Sequence, residues 1–308
     1  MWTKTEIAKD VFFVSRDWLS ANHLIALSPR LTMIDTGYGG DLAETLDVLQ
    51  SLARAPEEVE LIVNTHCHCD HCGGNFVIHQ RSGCEIWMHE KEKERMDRCD
   101  DTGTWWRFHD TWAQSFPVHR GLQAGEELRA GPLTLQVIHA PGHSRGLIML
   151  YCRQLKALFS SDALWHGDMG VVNPIVEGED ALQRAIETLE LISGMDIDTV
   201  YPGHGPVIAN PKAVLRRVQT KLRRYQDSPE LMHMDHLRKM FAYVVLSKGS
   251  VPVAGFFGYL MQSVWFREVV DRFFDGRYED MYQSTMESVL RNRMLQICEG
   301  ELFGTGKS

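Results

Sequence analysis

Residues 65–74 are Thr-His-Cys-His-Cys-Asp-His-Cys-Gly-Gly, and they directly follow the short apolar run Leu-Ile-Val. Side chains two residues apart on an extended chain share a face, so His66 and His68 are expected to project to the same side. Asp70 and His71 then face a neighbouring point, where a helix is expected to begin. Four donors this close together can hardly all reach one tetrahedral zinc ion, so they favour two metal ions. The stretch therefore predicts a metal site on the loop after a strand.

Three further candidate ligands stand at the predicted ends of later strands. His143 occurs in Ala-Pro-Gly-His-Ser, Asp162 ends an apolar run, and His204 occurs in Tyr-Pro-Gly-His-Gly-Pro. Five histidines and two aspartates suffice for two ions and leave a position for a shared hydroxide. One ion is assigned His66, His68 and His143, the other is assigned Asp70, His71 and His204, and Asp162 is assigned to both as a bridge.

The order of these donors resembles the metallo-β-lactamase-fold hydrolase superfamily. The pattern His-x-His-x-Asp-His, followed by His, Asp and His at later strand ends, matches at all seven positions. The resemblance covers residues 10–210. It implies an α/β fold, a four-layer αββα sandwich with the metal ions at one edge of its two sheets.

The predicted chemistry is hydrolysis. Two cations about 3.5–4 Å apart make hydroxide available near neutral pH, and that hydroxide attacks an electrophilic carbonyl or phosphorus. Asp70 is predicted to orient this nucleophile and to move its proton. The expected cofactors are two divalent ions; ligand type and the resemblance favour zinc, while iron and manganese also suit such ligands.

Residues beside the ligands are given supporting roles. Asp35 follows a predicted strand and is interpreted as a hydrogen-bond acceptor behind the ligands. Cys67, Cys69 and Cys72 alternate with the histidines, so they are expected to point away from the metals and to pack. A thiolate is nevertheless a good zinc ligand, which keeps that alternative open.

The segment between residues 91 and 121 is rich in aromatic residues. Several of them follow helical spacing and predict one apolar helix face. In the resembled family an insertion in this region caps the active site; the alternative is a helix packed on its own domain. The candidates for the substrate pocket are Trp105, Trp106, His109, Trp112, Trp165 and His166.

A change in net charge and an Asn-Pro pair divide the chain into two predicted domains. Residues 1–210 carry 17 Lys and Arg against 30 Asp and Glu, a net charge of −13, whereas residues 211–308 carry 15 against 11, or +4. The shift falls at an Asn-Pro pair shortly after the last candidate ligand. We therefore predict a catalytic domain over 1–210 and a small all-helical domain over 211–308.

Hydrophobic periodicity predicts the individual elements. The predicted strands include residues 11–14, 24–27, 31–34 and 85–89, and a helix is predicted over 41–53. Four helices are predicted in the second domain, over 212–225, 229–247, 252–274 and 278–298.

Composition is that of a globular protein, with 44% hydrophobic and 24% charged residues. No apolar run approaches the length of a membrane span, and the amino terminus opens no signal-peptide apolar region. With seven cysteines and no export signal, a disulfide framework is not expected. We expect a cytoplasmic location and no membrane contact, and the oligomeric state stays open.

Three functions compete, because one fold hosts many chemistries. The first is a hydrolase of a small ester, thioester or lactone, similar to glyoxalase II and the acyl-thioesterase branch, with a small-molecule acyl substrate. The second is a lactamase-like endoribonuclease, supported by the basic second domain. The acidic chain, with a net charge of −9, favours the acyl substrate over nucleic acid. The third is a metal-containing effector that acts mainly through partner contacts.

Overall fold

A computed structural model describes residues 1–111 and 113–305 of the chain. Its described residues divide into two compact units. The first contains residues 1–106 and 113–223, and the second contains residues 107–111 and 224–305. The two domains proposed from composition, 1–210 and 211–308, stay a prediction.

The first unit contains a seven-stranded sheet in which sequence order and spatial order coincide. Strands β4 to β7 pair in parallel, and the strands before them pair antiparallel. Parallel pairing places the carboxyl ends of β4 and β5 at the same edge of the sheet. The strands are β1 Trp2–Ala8, β2 Val11–Arg16, β3 His23–Ala26, β4 Thr32–Ile34, β5 Leu61–Val63, β6 Glu85–His89 and β7 Arg120–Leu122.

A second sheet of six strands has the order β13-β12-β11-β10-β9-β8. Only β11 and β12 are parallel, so their carboxyl ends also lie together. The strands are β8 Glu127–Ala130, β9 Leu133–His139, β10 Ile148–Cys152, β11 Ala157–Ser161, β12 Thr199–Pro202 and β13 Ile208–Ala209.

The hydrophobic core lies between the two sheets. Alternate residues of the first sheet, such as Val11 and Phe13, share one cluster with Leu135, Val137 and other residues of the second sheet. This follows from the two-residue period of a strand, which turns every second side chain to the same face. Burying these side chains stabilises the sandwich by roughly 25 cal/mol for each Å² of apolar surface removed from water.

Among the described residues up to Asp227, seven α-helices and two single-turn 3₁₀ helices accompany the sheets. Together they form the αββα sandwich that the sequence predicted. The α-helices are α1 Leu42–Ser51, α2 Cys69–Cys72, α3 Asn75–Ser82, α4 Glu90–Asp97, α5 Pro174–Glu177, α6 Ala181–Ser193 and α7 Lys212–Asp227. In the part of the chain that the structure describes, every helix is too short or too polar to span a bilayer.

The C-terminal part is mainly helical, but it is not helical throughout. Its helices are α8 Pro229–Lys248, α9 Val253–Leu260, α10 Val264–Phe273 and α11 Tyr278–Arg291, and its strands are β14 Ser250–Pro252, β15 Leu295–Cys298 and β16 Glu301–Gly304. These three strands form a small sheet in the order β14-β16-β15. The prediction of an all-helical segment was therefore wrong in this detail.

Two local features explain the difference. The predicted helix 252–274 is interrupted before Val264, because Ser263 has an extended backbone (φ −76°, ψ 142°) and starts a new helix. The predicted helix 278–298 ends at Arg291, and β15 then turns into β16 through Glu299 and Gly300. Both turn residues have positive φ values, 51° and 80°, as a two-residue hairpin turn requires.

The aromatic segment after α4 is also not helical. Described residues between Asp97 and Arg120 form turns and extended chain, so the predicted apolar helix face was wrong. Trp105 and Asp110 have positive φ values, 69° and 53°, which a right-handed helix cannot contain. The helical spacing of the aromatic residues therefore does not bring them onto one face.

Candidate metal centre

The elements of the first unit bring the predicted ligands to one edge of the sandwich. The 65–74 stretch leaves β5 and enters α2, Asp162 follows β11 directly, and His204 follows β12. His143 lies on the loop between β9 and β10. The ligands thus come from both sheets, and none of them lies inside a strand.

All seven predicted ligands come together in the structure. Their ligand atoms form three overlapping groups, and within each group the atoms lie within 4.8 Å of one another. The groups are His66, His68 and His143; His66, His71 and Asp162; and Asp70, His71 and His204. Their role as ligands stays a prediction, but the first and third groups are the two sets assigned from the sequence.

Asp162 lies between these sets. Its Oδ2 atom is 3.3 Å from Nε2 of His143, and its Oδ1 atom is 3.2 Å from Nε2 of His71 and 3.7 Å from Nε2 of His204. Burial alone would raise the pKa of the Asp162 carboxyl, but His71 and His204 together hold it below its ordinary value. A carboxylate in this position can contact a cation in either set.

The donors fit a divalent cation. His66 is fully buried, and its Nε2 atom has no hydrogen-bond partner in the described part of the chain. Burial, followed by the neighbouring histidines, lowers the pKa of His66 well below its ordinary value. A neutral imidazole with a free nitrogen is the form that binds metal, and imidazole with carboxylate suits zinc and similar ions.

Asp35 lies behind His71. Its Oδ2 atom is 2.8 Å from Nδ1 of His71 and accepts a hydrogen bond of 2.8 Å from the Thr65 hydroxyl, while Oδ1 accepts from the Thr65 backbone N–H at 2.8 Å. Burial would lower the pKa of His71, but Asp162, Asp35 and Asp70 raise it above its ordinary value. A carboxylate on Nδ1 of a histidine fixes the ring and leaves Nε2 to face a metal.

The cysteines of the stretch are buried. Cys67, Cys69 and Cys72 are at most 2% exposed, and none of the described metal-binding groups includes a cysteine. Burial raises the pKa of the Cys67 and Cys72 thiols well above the ordinary value. A neutral buried thiol behaves as a small apolar side chain, which agrees with packing.

Four of the six predicted pocket residues lie in the first unit, and two of these contact ligands. The Trp105 ring lies 4.1 Å from the ring of His68, and the Trp165 ring lies 5.1 Å from that of His204, measured between centroids. Trp165 also donates a hydrogen bond of 3.1 Å to Asp162. Trp106 donates a hydrogen bond to the backbone carbonyl of Cys67 at 3.1 Å, so it contacts the loop.

The other candidates are placed differently. His109 belongs to the second unit, where its Nε2 atom lies 2.9 Å from Nε2 of His236. His166 is exposed, and within the described residues it makes no ring or ion contact with a predicted ligand. Trp112 lies outside the described residues. The structure therefore does not assign His166 to the cluster of ligands, and a pocket role for His109 stays a prediction.

Sequence reasoning missed one aromatic residue beside the ligands. Trp18 is 43% exposed, and its ring lies 4.4 Å from the ring of His204 and 5.3 Å from that of Trp165. It lies between β2 and β3, far in sequence from all of the predicted ligands. The sequence offers only a weak signal for it, a tryptophan between the polar residues Asp17 and Ser20 in a connection between two strands.

Comparisons with known proteins agree with this geometry. A sequence model of the metallo-beta-lactamase superfamily matches residues 23–204. Acyl-coenzyme A thioesterase MBLAC2 of Homo sapiens is 29% identical over 206 residues, which cover 59% of this chain and 71% of that protein. Hydroxyacylglutathione hydrolase of a Polaromonas species is 28% identical over 163 residues, which cover 52% and 54% of the two chains.

A solved structure extends the similarity to the fold. A metallo-beta-lactamase family protein from Thermus thermophilus aligns with 97% of this chain and 100% of its own, with a TM-score of 0.61 and 17% sequence identity. A subclass B3 metallo-beta-lactamase of Bradyrhizobium japonicum aligns with 78% of this chain and 96% of its own, with a TM-score of 0.57 and 20% identity. At these identities the similarity concerns the fold alone.

Proposed function

Because the chain belongs to the metallo-beta-lactamase superfamily, we propose that it is a metal-dependent hydrolase of small acyl thioesters or esters. The observation that carries this proposal is the convergence of seven histidine and aspartate donors at one edge of the sandwich. A divalent cation bound there supplies Lewis acidity, which polarises a carbonyl oxygen and lowers the pKa of water.

Two zinc ions are the occupants that the donors suit best. His66, His68 and His143 would hold one, Asp70, His71 and His204 would hold the other, and Asp162 lies within reach of both. The first set consists of three imidazoles, and the second set combines two imidazoles with a carboxylate. Both compositions agree with zinc chemistry.

Asp70 is the residue best placed to move a proton. Its side chain is 16% exposed, whereas the other six predicted ligands are buried. Its Oδ2 atom lies 3.2 Å from Nε2 of His204. A carboxylate at the open side of the cluster can accept a proton from the attacking water and return it to the leaving sulfur or oxygen. The acyl carbon thereby exchanges its bond to the leaving atom for a bond to the water oxygen.

The side chains around the ligands support an acyl substrate. Trp18, Trp105 and Trp165 each contact a predicted ligand through a ring, and aromatic walls bind apolar groups. The relative named as an acyl-coenzyme A thioesterase supports the same substrate class. A net charge of −9 disfavours a polyanion such as RNA, whose binding depends on positive charge.

The proposal is tested by thiol release from acyl thioesters of increasing chain length. Zinc-loaded protein is expected to hydrolyse at least one of them, and Asp70→Ala is expected to lower kcat by about 10²–10⁴-fold, as for loss of a general base. The exposed Asp47→Ala substitution on α1 is the matched control and should keep full activity. Single-stranded RNA is assayed in parallel; cleavage of RNA by the wild type but not by Asp70→Ala, without any thioester hydrolysis, would replace the proposal with the nuclease.

A further inference from the structure

A buried group of charged side chains lies behind the predicted ligands. It consists of Glu92 and Arg95 on α4 and Glu177 on α5, and we call it the charged cluster. The side chains of Glu92 and Glu177 are fully buried, and that of Arg95 is 10% exposed. Charged groups are costly to bury unless they are paired and hydrogen-bonded, so the partners of this cluster indicate what it does.

Glu92 connects the two loops that carry the first set of ligands. Its Oε1 atom accepts hydrogen bonds from the Ser144 hydroxyl at 2.5 Å and from the Gly146 N–H at 2.7 Å. Its Oε2 atom accepts from the Cys67 N–H at 3.3 Å. Ser144 and Gly146 follow His143, and Cys67 separates His66 from His68. One carboxyl group therefore fixes the backbone beside all three of these histidines.

Arg95 and Glu177 complete the same support. The guanidinium of Arg95 donates to both Glu177 oxygens, at 3.0 and 2.8 Å, and to the Ser144 hydroxyl at 3.2 Å. Burial alone would lower the pKa of Arg95, but Glu92 and Glu177 raise it above its ordinary value. Arg95 thus stays charged and holds the two carboxylates together.

Glu177 also determines where Trp105 lies. Its Oε1 atom accepts a hydrogen bond of 2.6 Å from the Trp105 indole, and its Oε2 atom accepts one of 2.8 Å from the Arg145 N–H. The Trp105 ring contacts His68 and His143, with centroids 4.1 and 5.0 Å apart. The cluster therefore supports the histidines through their backbones and through a ring packed on two of them.

The second set of ligands has different support. Asp35 contacts His71 through Nδ1 at 2.8 Å. Within residues 1–111 and 113–305, the side-chain hydrogen bonds of the charged cluster go to other residues and not to Asp70, His71 or His204. Thr65 lies between the two sets, because its hydroxyl donates to Asp35 and lies 3.2 Å from Nδ1 of His66. The charged cluster therefore supports the first set directly, whereas Asp35 supports His71.

We propose that Glu92, Arg95 and Glu177 are positioning residues for the cation held by His66, His68 and His143, and that they set its affinity separately from that of the second set. A carboxylate has two acceptor oxygens, and Glu92 uses one for each loop. A glutamine has a single acceptor oxygen and presents an NH₂ group instead of the other. It would therefore face an N–H or O–H donor with its own donor, and one loop would lose its fixed position.

The test is zinc binding by Glu92→Gln, measured by competition with a chromophoric chelator on full-length protein first stripped of metal. We expect the affinity for one zinc equivalent to fall by about 10–100-fold, the usual effect of losing a partner behind the ligands, and the rest of the titration to stay unchanged. Glu94→Gln is the matched control, because Glu94 lies on the same helix but is 56% exposed and pairs only with Arg98 among the described residues. Its titration should match that of the wild type.

Double variants separate positioning from general loss of structure. In a His143→Ala background, Glu92→Gln should have no further effect, because that cation position is already lost; in a His204→Ala background, it should keep its full effect. Equal effects in both backgrounds would show general destabilisation and overturn the proposal. Wild-type titration of Glu92→Gln would overturn it as well.

Ser144→Ala provides the same test with a smaller change. It removes the 2.5 Å hydrogen bond to Glu92 and the 3.2 Å hydrogen bond from Arg95, and leaves the buried charges in place. If Glu92→Gln does not fold, Ser144→Ala should still weaken the same zinc equivalent several-fold, and an unchanged titration would refute the proposal. Zinc binding is measured without substrate, so the result is independent of which bond the protein hydrolyses.

Discussion

Replacing Gly73 with alanine would place one methyl group against backbone atoms directly after the ligand stretch. A Cβ at this position would lie 2.1 Å from the Gly39 nitrogen and 2.8 Å from the carbonyl oxygens of Cys69 and Gly37. Gly73 itself has ordinary right-handed helical angles, φ −63° and ψ −24°. The substitution therefore tests close packing alone, without backbone strain at the substituted residue.

The size of the effect follows from what would have to move. Gly73 donates a hydrogen bond of 2.8 Å to the Gly37 carbonyl, so relieving the contact separates α2 from the 37–40 loop. Overpacking a closely packed site costs about 1–3 kcal/mol, and contacts with backbone on three sides favour the upper end. For a unit of this size, about 3 kcal/mol corresponds to a fall in Tm of roughly 6–12 °C.

Thermal unfolding of the metal-free protein measures this cost. Gly258→Ala is the matched control, because a Cβ at Gly258 meets nothing within 4 Å. Alanine stabilises a helix interior such as that of α9 by about 0.5–1 kcal/mol relative to glycine. The two variants should move Tm in opposite directions. A metal-free Gly73→Ala protein with the Tm of the wild type would refute the packing argument.

Two further predictions concern other parts of the molecule. Trp18→Ala should raise KM several-fold for long-chain acyl thioesters and much less for acetyl thioesters, because Trp18 presents an exposed ring beside His204. Leu191→Ala is the control: Leu191 is 48% exposed on α6, and its substitution should change neither KM value. Burial, followed by the charges of His233 and Lys239, lowers the pKa of His236 from 6.5 to about 3, while Asp235 opposes this shift. The folded protein therefore keeps this ring neutral, while the unfolded chain takes up a proton below pH 6.5. The free energy of unfolding should therefore fall as the pH decreases from 6.5 towards 3, and His236 contributes at most about 1.4 kcal/mol per pH unit to this fall. Between pH 7 and pH 5, the Tm of His236→Gln should accordingly fall less steeply than the Tm of the wild type.

Local sequence patterns predicted most of the sandwich. The predicted strands at 11–14, 24–27, 31–34 and 85–89 are confirmed as β2, β3, β4 and β6, and the helix at 41–53 is confirmed as α1. Such patterns succeed because a strand or helix that faces a core must repeat its apolar residues at a fixed period. These patterns failed between Asp97 and Arg120. The aromatic residues there have the spacing of a helix face, but Trp105 and Asp110 have positive φ values, which a helix cannot contain.

The sequence by itself determined the donor chemistry of the candidate site, because the 65–74 stretch and the later strand-end residues are local signals. Only the tertiary structure decided what surrounds those donors. Arg95 and Glu177 are 82 residues apart in the chain and form a bidentate pair, and Trp18 meets His204 across a still larger separation. No local period encodes such contacts, since they arise from the meeting of two sheets and from the space left behind the ligand loops.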